Sequence, residues 1–282
     1  MKILLGLAAL CLIGVQSVFA ANVLFVSDDD SSENIGPILS AAGHTVTTVL
    51  NDYNGSTDNN AVLQGPGLAA YDVIFWSASG SGSGDIHSAA TFTNLTTYIT
   101  AGGRVFVTGY DSVASPSDPN LIAFAGFTSS YDSSGENVNG PLTGTNSLTT
   151  GVVNIVGVTP TGGYSDSDSL DGIQAGTSCL SVRPAGADGA GLCAWSLRLL
   201  GSGEIAYVSN GQLGGADHAS WNDTSAGGNG AYNAALRNFA ANAPGTTTAP
   251  VQSVNVPTMS IWGLGVLGLA LTFLARRRQV NR

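Results

Sequence analysis

The sequence predicts an α/β domain on a doubly wound, mostly parallel sheet, with a β-rich insertion and one C-terminal transmembrane helix. Three observations lead there. Short, uninterrupted apolar runs such as Asn22-Val23-Leu24-Phe25-Val26-Ser27 alternate with helical patterns that close on glycine. Strands buried on both faces and joined by crossover helices read in this way. A stretch rich in Gly, Ser, Thr and Asp, 131–191, interrupts the alternation, and near the end an uncharged apolar run, 261–275, stops at Arg276-Arg277-Arg278.

From the start of the chain, Lys2 supplies a positive n-region, residues 3–15 an apolar h-region, and Val18-Phe19-Ala20 the small residues of a cleavage site, so residues 1–20 read as a signal peptide. The body, 21–243, opens on the strand Asn22–Ser27, followed by a helix over 34–42 closed by Gly43. Residues 45–50 form a β-branched second strand and 71–76 a third. A helix over 89–101 ends in Gly102-Gly103, and 104–108 is the fourth strand. Inside the irregular segment 131–191, residues 152–158 are β-like. The α/β pattern resumes with a strand over 204–209 and a closing helix over 231–243. Residues 244–255, beginning Pro244-Gly245-Thr246-Thr247-Thr248-Ala249-Pro250, are a Pro/Thr linker with nothing to bury. The tail, 256–282, is uncharged up to Arg276. Its strictly apolar part is shorter than the roughly 20 residues a bilayer core requires, and the uncharged flank from Val256 supplies the remainder. The three arginines hold the C-terminus in the cytoplasm, so the body faces outward.

That body is strongly acidic. All 19 Asp and Glu fall between residues 21 and 255, against Arg104, Arg183, Arg198 and Arg237 and no lysine, a net of about −15. Nucleic acids and anionic membrane surfaces need basic surface, so both are excluded as partners. Cys11 leaves with the signal peptide. Cys179 and Cys193 remain, and in an oxidising compartment a disulfide between them is expected.

Four polar clusters follow the strands, where doubly wound folds place their ligands. They are Asp28-Asp29-Asp30-Ser31-Ser32-Glu33; Gly80 to His87; Tyr110-Asp111-Ser112; and Asn210, Asp217, His218, Trp221 and Asp223. Three aspartates repel a phosphate from the first cluster, and the Gly-Ser run at 80–84 has no lysine, so no nucleotide or flavin cofactor is expected. Oxygen-rich clusters suit sugar hydroxyls. Asp28, Tyr110, Asp111, His218 and Trp221 are therefore the candidate ligand contacts, with Trp221 as an apolar platform on one rim of the sheet. Asp166-Ser167-Asp168-Ser169-Leu170-Asp171-Gly172 approaches a calcium loop, yet its third Asp is displaced by one and no Glu closes it. His44 reads as a loop residue, and His87 and His218 do not make a zinc pair, so no metal site is expected.

Two resemblances carry further expectations. Val256-Pro257-Thr258-Met259, then Trp262-Gly263, an apolar helix and Arg276-Arg277-Arg278 closely resemble the IPTL-CTERM sorting tail of Gram-negative envelope proteins. That resemblance implies cleavage by an exosortase-like membrane enzyme. The body resembles the flavodoxin-like fold of class I glutamine-amidotransferase-like domains, especially the trehalose-utilisation-protein-like branch. The likeness rests on Val23-Leu24-Phe25-Val26-Ser27-Asp28, on Gly102-Gly103-Arg104-Val105-Phe106-Val107-Thr108-Gly109, and on Gly203-Glu204-Ile205-Ala206-Tyr207-Val208-Ser209-Asn210-Gly211 followed by Trp221 and 233–239. The amidotransferases of that superfamily place a catalytic cysteine on the turn after the fourth strand, where this chain reads Gly109-Tyr110-Asp111-Ser112. A tyrosine, protonated at neutral pH, does not replace a thiolate, and Ser112 lacks the Gly-x-Ser-x-Gly elbow. No catalytic residue is assigned. The expected function is an exported cell-envelope protein that displays a non-catalytic α/β binding or structural module, with a glycan or surface-matrix ligand. The alternative is an extracellular hydrolase acting on glycans or esters.

Overall fold

The structure, a computed structural model, describes residues 20–28, 34–50, 52, 60–78, 86–109, 113, 118–132, 138–162, 168–210, 213, 219–225 and 227–242. All of them belong to one compact unit, Met1–Thr246. The expected signal peptide apart from Ala20, the expected linker, and the expected sorting tail with its membrane span lie outside the described residues. Among the described residues no helix is long and apolar enough to cross a membrane.

Among the described residues nine strands form a single mixed sheet: β1 (Asn22–Ser27), β2 (Thr45–Leu50), β3 (Val73–Ser77), β4 (Arg104–Thr108), β5 (Ser129–Tyr131), β6 (Ser169–Asp171), β7 (Thr177–Val182), β8 (Cys193–Leu200) and β9 (Gly203–Val208). Their order is β2-β1-β3-β4-β9-β8-β6-β5, with β7 also paired to β8. From β2 to β9 every pairing is parallel. From β9 onward every pairing is antiparallel. The expected mostly parallel sheet is thus half the story: the segment expected as an insertion contributes β6 and β7, which with β5 and β8 extend the same sheet. Residues 152–158 are not a strand but a run of turns, with Ile155 and Val158 packed on the core and Gly157 at φ +82°.

Among the described residues six α-helices accompany the sheet: α1 (Gly36–Ala41), α2 (Ala61–Gln64), α3 (Ala89–Thr100), α4 (Pro119–Ala125), α5 (Ala219–Asn222) and α6 (Ala231–Ala241). Alternation along each parallel strand divides the core between the two faces. Val23, Phe25, Phe75, Phe106, Ala206 and Val208 pack with Leu39 of α1 and with Tyr232, Leu236 and Phe239 of α6. Leu24, Val26, Ile74, Trp76, Val105, Val107 and Tyr207 pack with Leu63 of α2, Phe92, Leu95 and Ile99 of α3, and Leu121 and Phe124 of α4. Strands covered on both faces have no polar side to show, which is why they read as continuous apolar runs.

The ends of α4 are written in its sequence. Asp118 caps the first turn by accepting N–H bonds from Asn120 and Leu121, Pro119 fills N1, and Gly126 leaves the helix in the left-handed conformation at φ 93°. On the antiparallel wing the Cys179–Cys193 disulfide joins β7 to β8, with Cα atoms 5.7 Å apart.

Candidate functional site

The parallel strands end in polar side chains, and the two faces of the sheet receive different sets. On the α1/α6 face, Ser27, Ser77 and Thr108 stand in register at the ends of β1, β3 and β4, all fully buried. One residue further on, Asp28 turns to the other face beneath Trp76, and there it meets an ion network.

Asp28 Oδ1 accepts from Asn60 Nδ2 at 2.6 Å, and Oδ2 from Trp76 Nε1 at 2.8 Å. Oδ2 also lies 3.1 Å from His87 Nε2. The other ring nitrogen of His87, Nδ1, lies 2.8 Å from Asp118 Oδ2, which accepts the His87 backbone N–H at 2.8 Å as well. Asp118 Oδ1 is the α4 cap, and Asn120 returns a bond from Nδ2 to the His87 carbonyl at 2.8 Å. The indole of Trp76 stands edge-on to the His87 ring, centroids 4.9 Å apart, and Phe92 and Phe124 continue the aromatic wall. Both carboxylates and the imidazole between them have side chains with no exposed surface.

Because a carboxylate faces each ring nitrogen, a singly protonated imidazole satisfies only one of them; the geometry calls for the imidazolium. Burial alone lowers the His87 pKa, and the hydrogen bonds and charges of Asp118 and Asp28 outweigh it, raising it to about 10. Burial pushes the Asp28 carboxyl up from its usual range against the opposing bonds from His87, Trp76 and Asn60. The arrangement ties three loops together: His87 follows β3, Asp28 ends β1, and Asp118 starts the helix after β4. Sealed on all sides, it holds the strand ends in place.

Several expected site residues are placed differently. Trp221 is fully buried in α5, its ring 6.2 Å from Phe106 and 5.0 Å from Tyr232, so it is core and not an exposed platform. It lies on the α1/α6 face, whereas Asp28 lies with Trp76 on the other, because side chains one residue apart at a strand end point to opposite sides. Asp28 itself is 4% exposed and engaged by three neighbours. The rim expected to join these two therefore does not form. Tyr110, Asp111 and His218 lie outside the described residues, as do Ser112, Asp217 and the whole Gly-Ser run 80–84. His44, expected as a loop residue, does lie in the connection between α1 and β2, where it is buried; its Nδ1 accepts the Ala21 N–H at 3.1 Å, and burial lowers its pKa. In the calcium-like stretch, Asp168 is buried and Asp171 accepts the Gly172 N–H at 2.7 Å. Among the described residues no group of His, Cys, Asp and Glu is placed to hold a metal ion.

Sequence reasoning named His87 only as the end of a polar cluster and half of a rejected zinc pair, took Trp76 only as a strand residue, and passed over Asp118 and Asn60. Asp118-Pro119 is a legible helix start, but nothing in the sequence joins it to His87.

No family model and no curated protein matches the chain. Among solved structures it is similar to the N-terminal domain of mmIFT52, at 10% identity and a TM-score of 0.50, covering 76% of this chain and 95% of that one. The likeness is one of fold alone. The chain is also similar to a ThuA-like protein from Bacteroides uniformis, at 12% identity and a TM-score of 0.45 over 77% of this chain and 90% of that one. A ThuA-like protein from Parabacteroides merdae follows at 11% identity, with a TM-score of 0.43 over 79% and 91%.

Proposed function

We propose that the protein is exported, displayed at the cell envelope, and sorted and cleaved at its tail by an exosortase-like enzyme, its α/β body serving as a non-catalytic binding or structural module. The observation that carries the non-catalytic reading is the sealed ion network: the carboxylates of Asp28 and Asp118 and both nitrogens of His87 bind one another and the backbone, leaving none of these groups presented to a substrate. The disulfide between Cys179 and Cys193 supports passage through an oxidising compartment. The address comes from the two ends of the sequence, Lys2 to Ala20 and Val256 to Arg278.

The test is cell fractionation with mass spectrometry of both termini of the envelope-bound protein, together with a panel of ester and glycoside substrates. Mature protein is expected to begin at Ala21, to lack Arg282 and to turn over none of the panel. A chain retained in the cytoplasm with Met1 in place contradicts export, Arg282 on mature surface protein contradicts cleavage, and turnover lost in Ser112→Ala replaces the module by the hydrolase alternative.

A further inference from the structure

The end of the sheet opposite the ion network carries an open groove of about 480 Å3. It lies where Asp72 leads into β3 and Gly102-Gly103 lead into β4, beside the 3-10 turn Pro66–Ala70 and the C-terminal half of α3. Its aromatic wall is built on close approach. Tyr98 lies so tightly on Gly103 that a Cβ there would run into the ring, and the Tyr98 hydroxyl donates to the Tyr71 carbonyl at 3.2 Å. Tyr71 is half-buried, its ring packed on the core beneath.

The polar lining is one-sided. The backbone N–H groups of Ala101, Gly102 and Gly103 are consumed by Thr97, Ile99 and Tyr98 carbonyls. Asp72 Oδ2 accepts from Asn22 N at 2.8 Å, leaving Oδ1 without a partner among the described residues. Asn94 spends Nδ2 on the carbonyls of Leu63 and Gly65, leaving its own Oδ1 as an acceptor. No Lys, Arg or His lines the space. A ligand here must bring donors, and the Asp72 carboxylate turns away anions. The volume suits a small ligand.

Resting on the binding-module reading above, we propose that this groove is a saccharide site, taking one or two units of a neutral sugar. Ring hydroxyls donate to Asp72 Oδ1 and Asn94 Oδ1, and the apolar face of the sugar lies on Tyr71. Ala69 lines the groove and is exposed, so a larger side chain there fills the space without disturbing the core.

The experiment is calorimetric titration of the full chain, purified in a sugar-free detergent, with glucose, galactose, mannose, N-acetylglucosamine, maltose and cellobiose, and with choline as a cationic probe. At least one saccharide is expected to bind, and Ala69→Trp and Tyr71→Ala to weaken it by about tenfold or more. Asp72→Asn, which exchanges an acceptor for a donor, is expected to weaken it several-fold, and Ala69→Trp to leave thermal unfolding unchanged. Saccharide binding indifferent to Ala69→Trp overturns the groove assignment while the binding-module reading survives. Binding of choline alone, or of no saccharide, overturns the proposal; the envelope address is tested separately by the fractionation experiment.

Discussion

Deleting the imidazole of His87 would leave Asp28 and Asp118 as two buried carboxylates with no cation between them. Breaking a buried charge network by removing one member costs about 3–5 kcal/mol, so His87→Ala is expected to lower the stability of the body by that much, read as a shift in the denaturant midpoint. The same ring sets a pH dependence. Its folded pKa of about 10 lies above its unfolded value of 6.5, so its contribution is complete below about pH 6.5 and is lost as pH rises through 10. Melting temperature is therefore expected to fall from pH 7 to pH 10, and the His87→Gln variant to show a flatter profile; a stability that rises over that range would contradict the imidazolium assignment. None of this was legible in the sequence, because His87 reaches Asp28 and Asp118 across 59 and 31 residues. Asp28 was expected at a ligand rim with Trp221, and alternation beyond the strand end instead turns it to the other face, onto Asn60, Trp76 and His87.

At the level of elements, the antiparallel wing depends on a covalent tie. Cys179 and Cys193 join neighbouring strands across a sequence separation of 14. Closing a loop of that length contributes about 3 kcal/mol, so reduction is expected to lower the unfolding midpoint correspondingly, while the oxidised protein shows no free thiol to a probe before denaturation. The spacing of the two cysteines and the expected export made this pairing readable. Strand β8 was not readable: Cys-Ala-Trp-Ser-Leu-Arg-Leu-Leu mixes buried and exposed positions, and its place at the centre of the antiparallel half rests on pairings with β9, β7 and β6. Helix α4, by contrast, carried its own signals in Asp118-Pro119 and Gly126. Residues 152–158 show the reverse error, since an apolar, β-branched run satisfied the strand pattern while its glycine at φ +82° turns the chain.

For the whole molecule, the proposed address and the fold are separable. If the tail from Val256 directs processing, Pro257→Ala or deletion of Arg276-Arg277-Arg278 is expected to make intact precursor accumulate in the membrane fraction, seen as a slower band on immunoblots; unchanged processing in both variants would contradict a sorting role. By itself the sequence determined the α/β class, the identity of strands β1 to β4 and β9, and the disulfide, because these follow from local hydropathy, glycine stops and residue counts that need no partner. Only the tertiary structure decided that the segment after β4 extends the sheet, that Trp221 is core, that His87 binds two aspartates, and that the open groove lies by Asp72 and Tyr98. Each of those depends on which face and which end of a strand a side chain meets another at, and that contact is made through space between residues far apart in the chain.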